Sequence, residues 1–304
     1  MSPLAEHAER YLAVRQALGY RLRDDVGMVR ALAAYAGSLG GGVLSTEVAL
    51  GWASAARADS THQRRLSVAR GFAAYLRAFE PATEVPPRGL GPLVDRRRRR
   101  PHIYTGEEVA ALMAAAEEGE APLTASSASA LIGLAAACGL RPAELYRLRC
   151  ADIDLQAGQV AVMESKRARS RLLPLHPSTV EALSGHLELR RGVATPAHDL
   201  CFVTAAGAPV SARFPLRFRR LAEQAGIPVR PGEFARLGDL RHTLAVTTLL
   251  GWHRNGADVA RSLPLLSAYL GHLCPESTYW YLEAVPELMA VVADRLAGTW
   301  QGTL

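Results

Sequence analysis

The sequence predicts a mainly α protein in two parts: a helical N-terminal domain, then a mixed α/β domain that is mostly helical with a small β-hairpin or sheet. Three observations predict it. Apolar residues recur at three- and four-residue spacing over most of the chain, the period of helices with one buried face. That pattern breaks between Pro81 and Pro101, where Pro81, Pro86, Pro87, Gly89, Gly91 and Pro92 exclude regular structure. Residues 160–164 and 171–175 read as short strands on either side of a polar turn, residues 165–170. At 304 residues, 49% hydrophobic and 21% charged, the chain has the length and composition of a two-domain globular protein.

In chain order, helices are expected over residues 4–18, 24–39, 45–58 and 61–79. The last carries Arg64, Arg65, Arg70 and Arg77, which make either a solvated face or a phosphate-binding one. Arg96, Arg97, Arg98, Arg99 and Arg100 form an unbroken run. Like charges so close repel one another, which favours an extended segment suited to gripping phosphates. The chain therefore divides into a helical domain over residues 1–88, a basic linker over 89–103 and a second domain over 104–304. Thr105-Gly106-Glu107-Glu108 opens that domain as a capping box: the Thr105 hydroxyl caps the helix and Glu108 reaches back. Further helix is expected over residues 125–138 and again beyond Thr179, with no internal repeats.

The net charge of +6 and a pI of about 9.4 suggest a polyanionic partner, nucleic acid first. Cys138, Cys150, Cys201 and Cys274 form no CxxC pair and no Cys/His ligand spacing, so they read as reduced thiols and no metal site is predicted. The segment MSPLAEHAER has no apolar signal core, and the longest apolar stretch, around residues 130–140, is too short to span a bilayer. A cytoplasmic protein without membrane contact is expected.

Of 35 Lys and Arg residues only Lys166 is lysine, leaving 34 arginines. Genome bias accounts for the arginines but not for the survivor. Lysine can give up a proton when its pKa is tuned, whereas guanidinium effectively cannot. The neighbourhood of Lys166 belongs to a set of four segments. Cys138-Gly139-Leu140-Arg141-Pro142-Ala143-Glu144-Leu145 comes first, with Pro142 suited to the first helical position and Arg141 at the helix mouth. Then come residues 165–175, SKRARSRLLPL, and Gly238-Asp239-Leu240-Arg241-His242-Thr243. Leu270-Gly271-His272, followed by Glu276-Ser277-Thr278-Tyr279-Trp280-Tyr281, closes the set.

Together these resemble the tyrosine recombinase (phage integrase) family over roughly residues 105–285. The family's pattern is G-L-R-x-x-E-L, a hairpin lysine before a strand ending in V/L-P-L, H-x-L-R-H-T, L-G-H, and a tyrosine nine residues after that histidine. Tyr281 stands at that distance from His272. The resemblance implies a tyrosine-recombinase catalytic domain and a helical core-binding domain closing on the far side of a DNA duplex. It implies Arg141 and Arg241 as the catalytic arginines, Lys166 as the acid, His272 as a phosphate hydrogen-bond donor and Tyr281 as nucleophile. Glu144 and His242 are candidates for supporting roles, Glu144 by orienting an arginine; on a helix His242 should point away from Arg241. Tyr279, about 200° from Tyr281 on a helix, reads as a packing residue. Candidate DNA contacts are Arg64, Arg65, Arg70, the run Arg96 to Arg100, Arg167 and Arg169.

The implied reaction is site-specific cutting and rejoining of double-stranded DNA through a 3′-phosphotyrosine. It needs no metal, cofactor or ATP, because the covalent intermediate conserves the phosphoester bond and guanidiniums stabilise the phosphorane. A homotetramer on paired sites, cytoplasmic and nucleoid-associated, follows from that chemistry. The segment after Tyr281 looks most like integrases of bacterial transposons, hence mobile-element DNA as substrate. The helix expected over residues 286–298 packs either on its own domain or on a neighbouring subunit. One position departs from the pattern: Gly238 stands where the family has histidine three residues before the second arginine, and a glycine there could serve a positive φ. Two rival readings follow, a type IB topoisomerase-like enzyme and a catalytically impaired, recombinase-like DNA-binding protein.

Neutralising Arg96 to Arg100 is expected to weaken binding to all DNA sequences alike and to flatten the log–log salt dependence by about 0.9 per lost phosphate contact. Equilibrium binding across a salt series checks this; an unchanged slope would make the run a solvated linker.

Overall fold

The computed structural model describes residues 2–20, 25–40, 43–92, 100–163, 170–193, 199–229 and 233–272. The chain forms two compact units, Met1–Arg98 and Arg99–Leu304.

The first unit is helical: α1 Pro3–Ala17, α2 Asp25–Ser38, α3 Thr46–Ser54 and α4 Asp59–Leu76. Ser2 and Ser45 cap α1 and α3 by accepting the N–H groups of Ala5 and Val48. One face of each helix supplies the core, with Leu12, Leu32, Trp52, Phe72 and Leu76 among its larger members. Helix α4 also holds the segment that follows it. Gln63 Nε2 donates to the carbonyls of Leu90 (2.9 Å) and Pro92 (2.8 Å), so the first residues of the expected linker are docked on a helix.

The second unit contains α5 Gly106–Glu117, α6 Pro122–Cys138, α7 Pro142–Leu145, α8 Pro177–Arg191, α9 Phe214–Gln224, α10 Leu237–Arg254 and α11 Val259–Leu270. The Thr105 capping box forms, with Glu108 N–H donating to Thr105 Oγ1 at 3.1 Å and Thr105 N–H to Glu108 Oε2 at 2.9 Å. Helix α6 is buried on several faces, through Ala128, Leu131, Ile132, Leu134 and Ala135, because its sequence is apolar nearly all round. Its two buried serines are placed accordingly: Ser127 Oγ donates to the Val203 carbonyl and accepts the Val203 N–H, while Ser129 Oγ donates to Glu117.

Beside this core lies a three-stranded antiparallel sheet, β1 Ile153–Asp154, β2 Gln159–Val162 and β3 Arg171–Pro174, in the order β1-β2-β3. The expected hairpin is β2–β3, closed by the pair Val162↔Arg171; β1, two residues long, was too short to show a period in the sequence. Val160 and Leu173, which pair directly, face the core. Helix α10 is held in place by Tyr104, whose N–H donates to Thr243 Oγ1 and whose hydroxyl donates to the Arg236 carbonyl. Ala245, Val246 and Leu249 of α10 then bury Leu263, Leu266 and Leu270 of α11.

Candidate active site

The site is assembled from helix ends. Helix α6 stops at Gly139 (φ 60°), whose N–H donates to the Ala135 carbonyl at 3.0 Å. The positive φ favours glycine, and a Cβ there would lie 2.8 Å from Leu244 Cδ2. Pro142 begins α7, which sets Arg141 in extended backbone at the helix mouth. Helix α11 ends in a Schellman motif centred on Gly271 (φ 66°). The Gly271 N–H donates to the Ala268 carbonyl and the His272 N–H to the Ser267 carbonyl, both at 2.9 Å. The carbonyls of Tyr269, Leu270 and Gly271 remain at the negative end of the helix dipole, where cations are stabilised.

Three arginines take those carbonyls. Arg241, buried on α10, donates Nη2 to Leu270 O and Nη1 to Gly139 O (2.7 Å), so it ties the ends of α6 and α11 together. Arg141 Nη2 donates to Gly271 O at 3.0 Å, and Arg171 Nε to Tyr269 O at 2.9 Å. Glu144 joins two of the three. Its Oε1 accepts from Arg141 Nη1 (2.9 Å) and Arg171 Nη1 (3.2 Å); its Oε2 accepts from Arg171 Nη2 and the Arg141 N–H, each at 2.9 Å.

Burial pushes the Glu144 carboxyl up, but the bonds and charges of Arg171 and Arg141 outweigh it and hold the pKa at about 2. Three guanidiniums and the Glu144 carboxylate thus meet at this helix end, a cationic cluster that attracts anions. His272 sits in that field. Burial first, then the charges of Arg241 and Arg141, and after them His242 and Arg171, lower its pKa to about 4, so it is a neutral hydrogen-bonding ring at pH 7.

Of the residues singled out in the sequence, Arg141, Arg241, His272 and Glu144 are thus brought together. Glu144 holds an arginine in place, as its spacing suggested, and it holds two. His242, one residue from Arg241 and expected to face elsewhere, is close enough to act on His272 through its charge. Lys166, Arg167, Arg169, Tyr281 and Arg96 to Arg99 lie outside the described residues, as do residues 286–298; Arg100 is exposed. In the first unit Arg64 pairs with Asp25 (3.0 Å), Arg65 donates to Trp52 O (2.8 Å) and Arg70 donates to Pro87 O (3.3 Å). Gly238 is the second residue of α10 and is not in the left-handed region. A Cβ there would meet nothing nearer than Pro142 Cγ at 3.8 Å, so neither backbone nor space demands the glycine. Arg171 was read in the sequence only as the start of a strand. Nothing in its local pattern marks a charge that becomes buried against an acid 27 residues away.

The match to the phage integrase family model runs over residues 103–287. The integrase/recombinase-type protein y4rB of Sinorhizobium fredii is 34% identical over 312 aligned positions, covering 99% of each chain. Tyrosine recombinase XerD of Xanthomonas campestris is 33% identical, covering 88% of this chain and 81% of its own. Among solved structures, the XerH site-specific recombinase bound to a palindromic difH substrate superposes with a TM-score of 0.62 at 17% identity, over 96% of this chain and 83% of that one. A lambda integrase tetramer bound to a Holliday junction gives 0.60 at 16% identity, over 89% and 77%. The fold is that of the tyrosine-type site-specific recombinases, and the chain belongs to the phage integrase family.

Two pH windows are expected in the stability of the protein. A histidine with a depressed folded pKa stays neutral in the native state while the unfolded chain takes up a proton. Its contribution is therefore lost as pH falls from 6.5 towards about 4. Glu144 has a depressed carboxylate pKa, so its contribution is full above 4.5 and is lost as pH falls through about 2. Denaturant midpoints measured across pH should show His272→Asn removing part of the upper slope and sparing the lower. An upper slope identical in both proteins would contradict the assignment.

Proposed function

We propose that the protein cuts and rejoins double-stranded DNA at specific sites, with Tyr281 as nucleophile and Lys166 as the acid. The observation that carries the reading is the convergence of Arg141, Arg241 and His272 on one helix end, where Arg171 adds a third guanidinium. In this reading a phosphodiester sits against that cluster. The Tyr281 oxygen attacks phosphorus in line and gives up its proton to water, the P–O bond to the 5′-oxygen breaks, and Lys166 delivers a proton to the departing oxygen. The 3′-phosphate stays on the tyrosine until a 5′-hydroxyl reverses the step.

Preorganisation supports this assignment of the arginines. Their carbonyl and carboxylate partners fix the guanidinium forks before substrate arrives, and donors held this way cost no reorganisation as charge develops; losing one donor of this kind typically costs about 2.7–4 kcal/mol. His272, neutral in the free protein, can donate a hydrogen bond to a phosphate oxygen without first losing a proton.

Strand exchange uses two duplexes, so the working assembly is a homotetramer on paired sites, and the ends of a mobile element are the substrate class. The helical first unit clamps the duplex, with Arg64, Arg65 and Arg70 close to it. Arg100 and the run before it, together with Arg167 and Arg169, follow the phosphate backbone. The work is done in the cytoplasm, on the nucleoid.

The test uses nicked duplexes bearing the site that the protein itself selects from a random-sequence pool. A covalent adduct should form, Tyr281→Phe should abolish it and Tyr279→Phe should not; the opposite pattern would move the nucleophile to Tyr279. Lys166→Arg should slow cleavage steeply at nearly constant affinity. A 5′-bridging phosphorothiolate, whose sulfur leaves unprotonated, should restore much of the rate, and absence of selective rescue would remove Lys166 from the acid role.

A further inference from the structure

Arg171 has no part in the reaction just described, yet it is one of the most constrained side chains of the second unit. It begins β3, pairs with Val162 at the base of the hairpin, and is largely buried. Its three nitrogens are all engaged: Nε with Tyr269 O, Nη1 with Glu144 Oε1 and Nη2 with Glu144 Oε2. Gly271 lies directly against it, since a Cβ there would come within 2.9 Å of Arg171 Nη1. One guanidinium thus touches the hairpin strand, the α7 carboxylate and the end of α11.

The arrangement around Glu144 is competitive. Its Oε1 is shared between Arg141 and Arg171, and the carboxylate has only one charge to divide. The fork of Arg171 grips both oxygens, whereas the Arg141 guanidinium reaches only one of them. Without Arg171, Glu144 would stay buried beside Arg141 and turn its whole charge on it. Arg141 would then offer a weaker field to an anion.

We propose that Arg171 is a positioning residue that occupies Glu144, so that Arg141 is oriented by the carboxylate without being neutralised by it. It also ties β3 to the carbonyl row that holds Arg141 and Arg241. This rests on Arg141 acting on the phosphate as proposed above.

The account makes an unusual demand: removing the acid should compensate for removing the base. Single-turnover cleavage of the selected nicked duplex is compared in four full-length proteins: unaltered, Arg171→Met, Arg171→Lys, and Glu144→Gln combined with Arg171→Met. Both single variants should cleave at least about tenfold more slowly at nearly unchanged DNA affinity, lysine failing because an ammonium cannot span both oxygens and the Tyr269 carbonyl. The double variant should recover much of the rate lost by Arg171→Met. Full activity in Arg171→Lys, or a double variant no faster than Arg171→Met, would overturn the proposal, because a merely structural Arg171 would leave the double variant as impaired or worse.

Acid unfolding gives a readout that does not depend on cleavage. Arg171→Met should move the acid midpoint to higher pH by releasing Glu144 from its main partner, and adding Glu144→Gln should move it back. If the unaltered protein forms no adduct, the proposed reaction fails on its own. The Arg171 inference is then decided by this measurement, where an unmoved midpoint in Arg171→Met would overturn it.

Discussion

The carbonyls of Tyr269, Leu270 and Gly271 at the end of α11 are the constraint on which the rest of the site depends. An α-helix leaves its last carbonyls without intrahelical partners, and the Schellman turn at Gly271 and His272 satisfies only the groups of the preceding turn. The remainder would be costly beneath the surface of a domain without donors. Arg171, Arg241 and Arg141 supply them, one carbonyl each. The same contacts that complete the helix therefore concentrate cationic charge at one place, and His272, next in the chain, is delivered to its edge. Arg241 extends this to α6 through the Gly139 carbonyl, so two helix ends are locked by one side chain.

That origin explains why the cluster is stable although it holds like charges together. Each guanidinium is stabilised by a helix dipole or a carbonyl, and Glu144 offsets part of the remaining repulsion. Positive charge still predominates at this helix end, which on the proposed function suits it to a phosphodiester. Burial, and after it the arginine charges, keep His272 unprotonated at pH 7. Structure and chemistry are here the same set of contacts, so substitutions in the cluster have to be read by stability and by rate together.

Much of this was legible in the sequence, for local reasons. The Thr105 capping box, Pro142 at the start of α7 and the pairing of β2 with β3 are short-range patterns whose partners lie close in the chain. Arg141, Arg241, His272 and Glu144 were found because they stand in recognisable segments. Arg171 was not, because its partners are 27 and 98 residues away and its own strand gives no hint of them. The role of L-G-H was also hidden: two of its carbonyls, Leu270 and Gly271, hold Arg241 and Arg141. The two-residue strand β1 and the docking of Leu90 and Pro92 on α4 are tertiary outcomes without a periodic signal. Gly238 is the opposite case. Sequence alone allowed a backbone reason for it, and the helical φ and open space beside Pro142 remove that reason, so only the missing imidazole remains.

The central claim is that this arginine cluster drives covalent cleavage without a side chain at position 238. Single-turnover cleavage by the unaltered protein, on a nicked site that it demonstrably binds, tests the claim most directly. A general base of the kind missing here is typically worth about 10²–10⁴-fold, so slow but steady accumulation of adduct is predicted, and Gly238→His should accelerate it, since a Cβ there meets nothing nearer than 3.8 Å. If the bound protein gives no adduct over hours and Gly238→His restores one, this chain is a recombinase-like DNA-binding protein and the claim is contradicted.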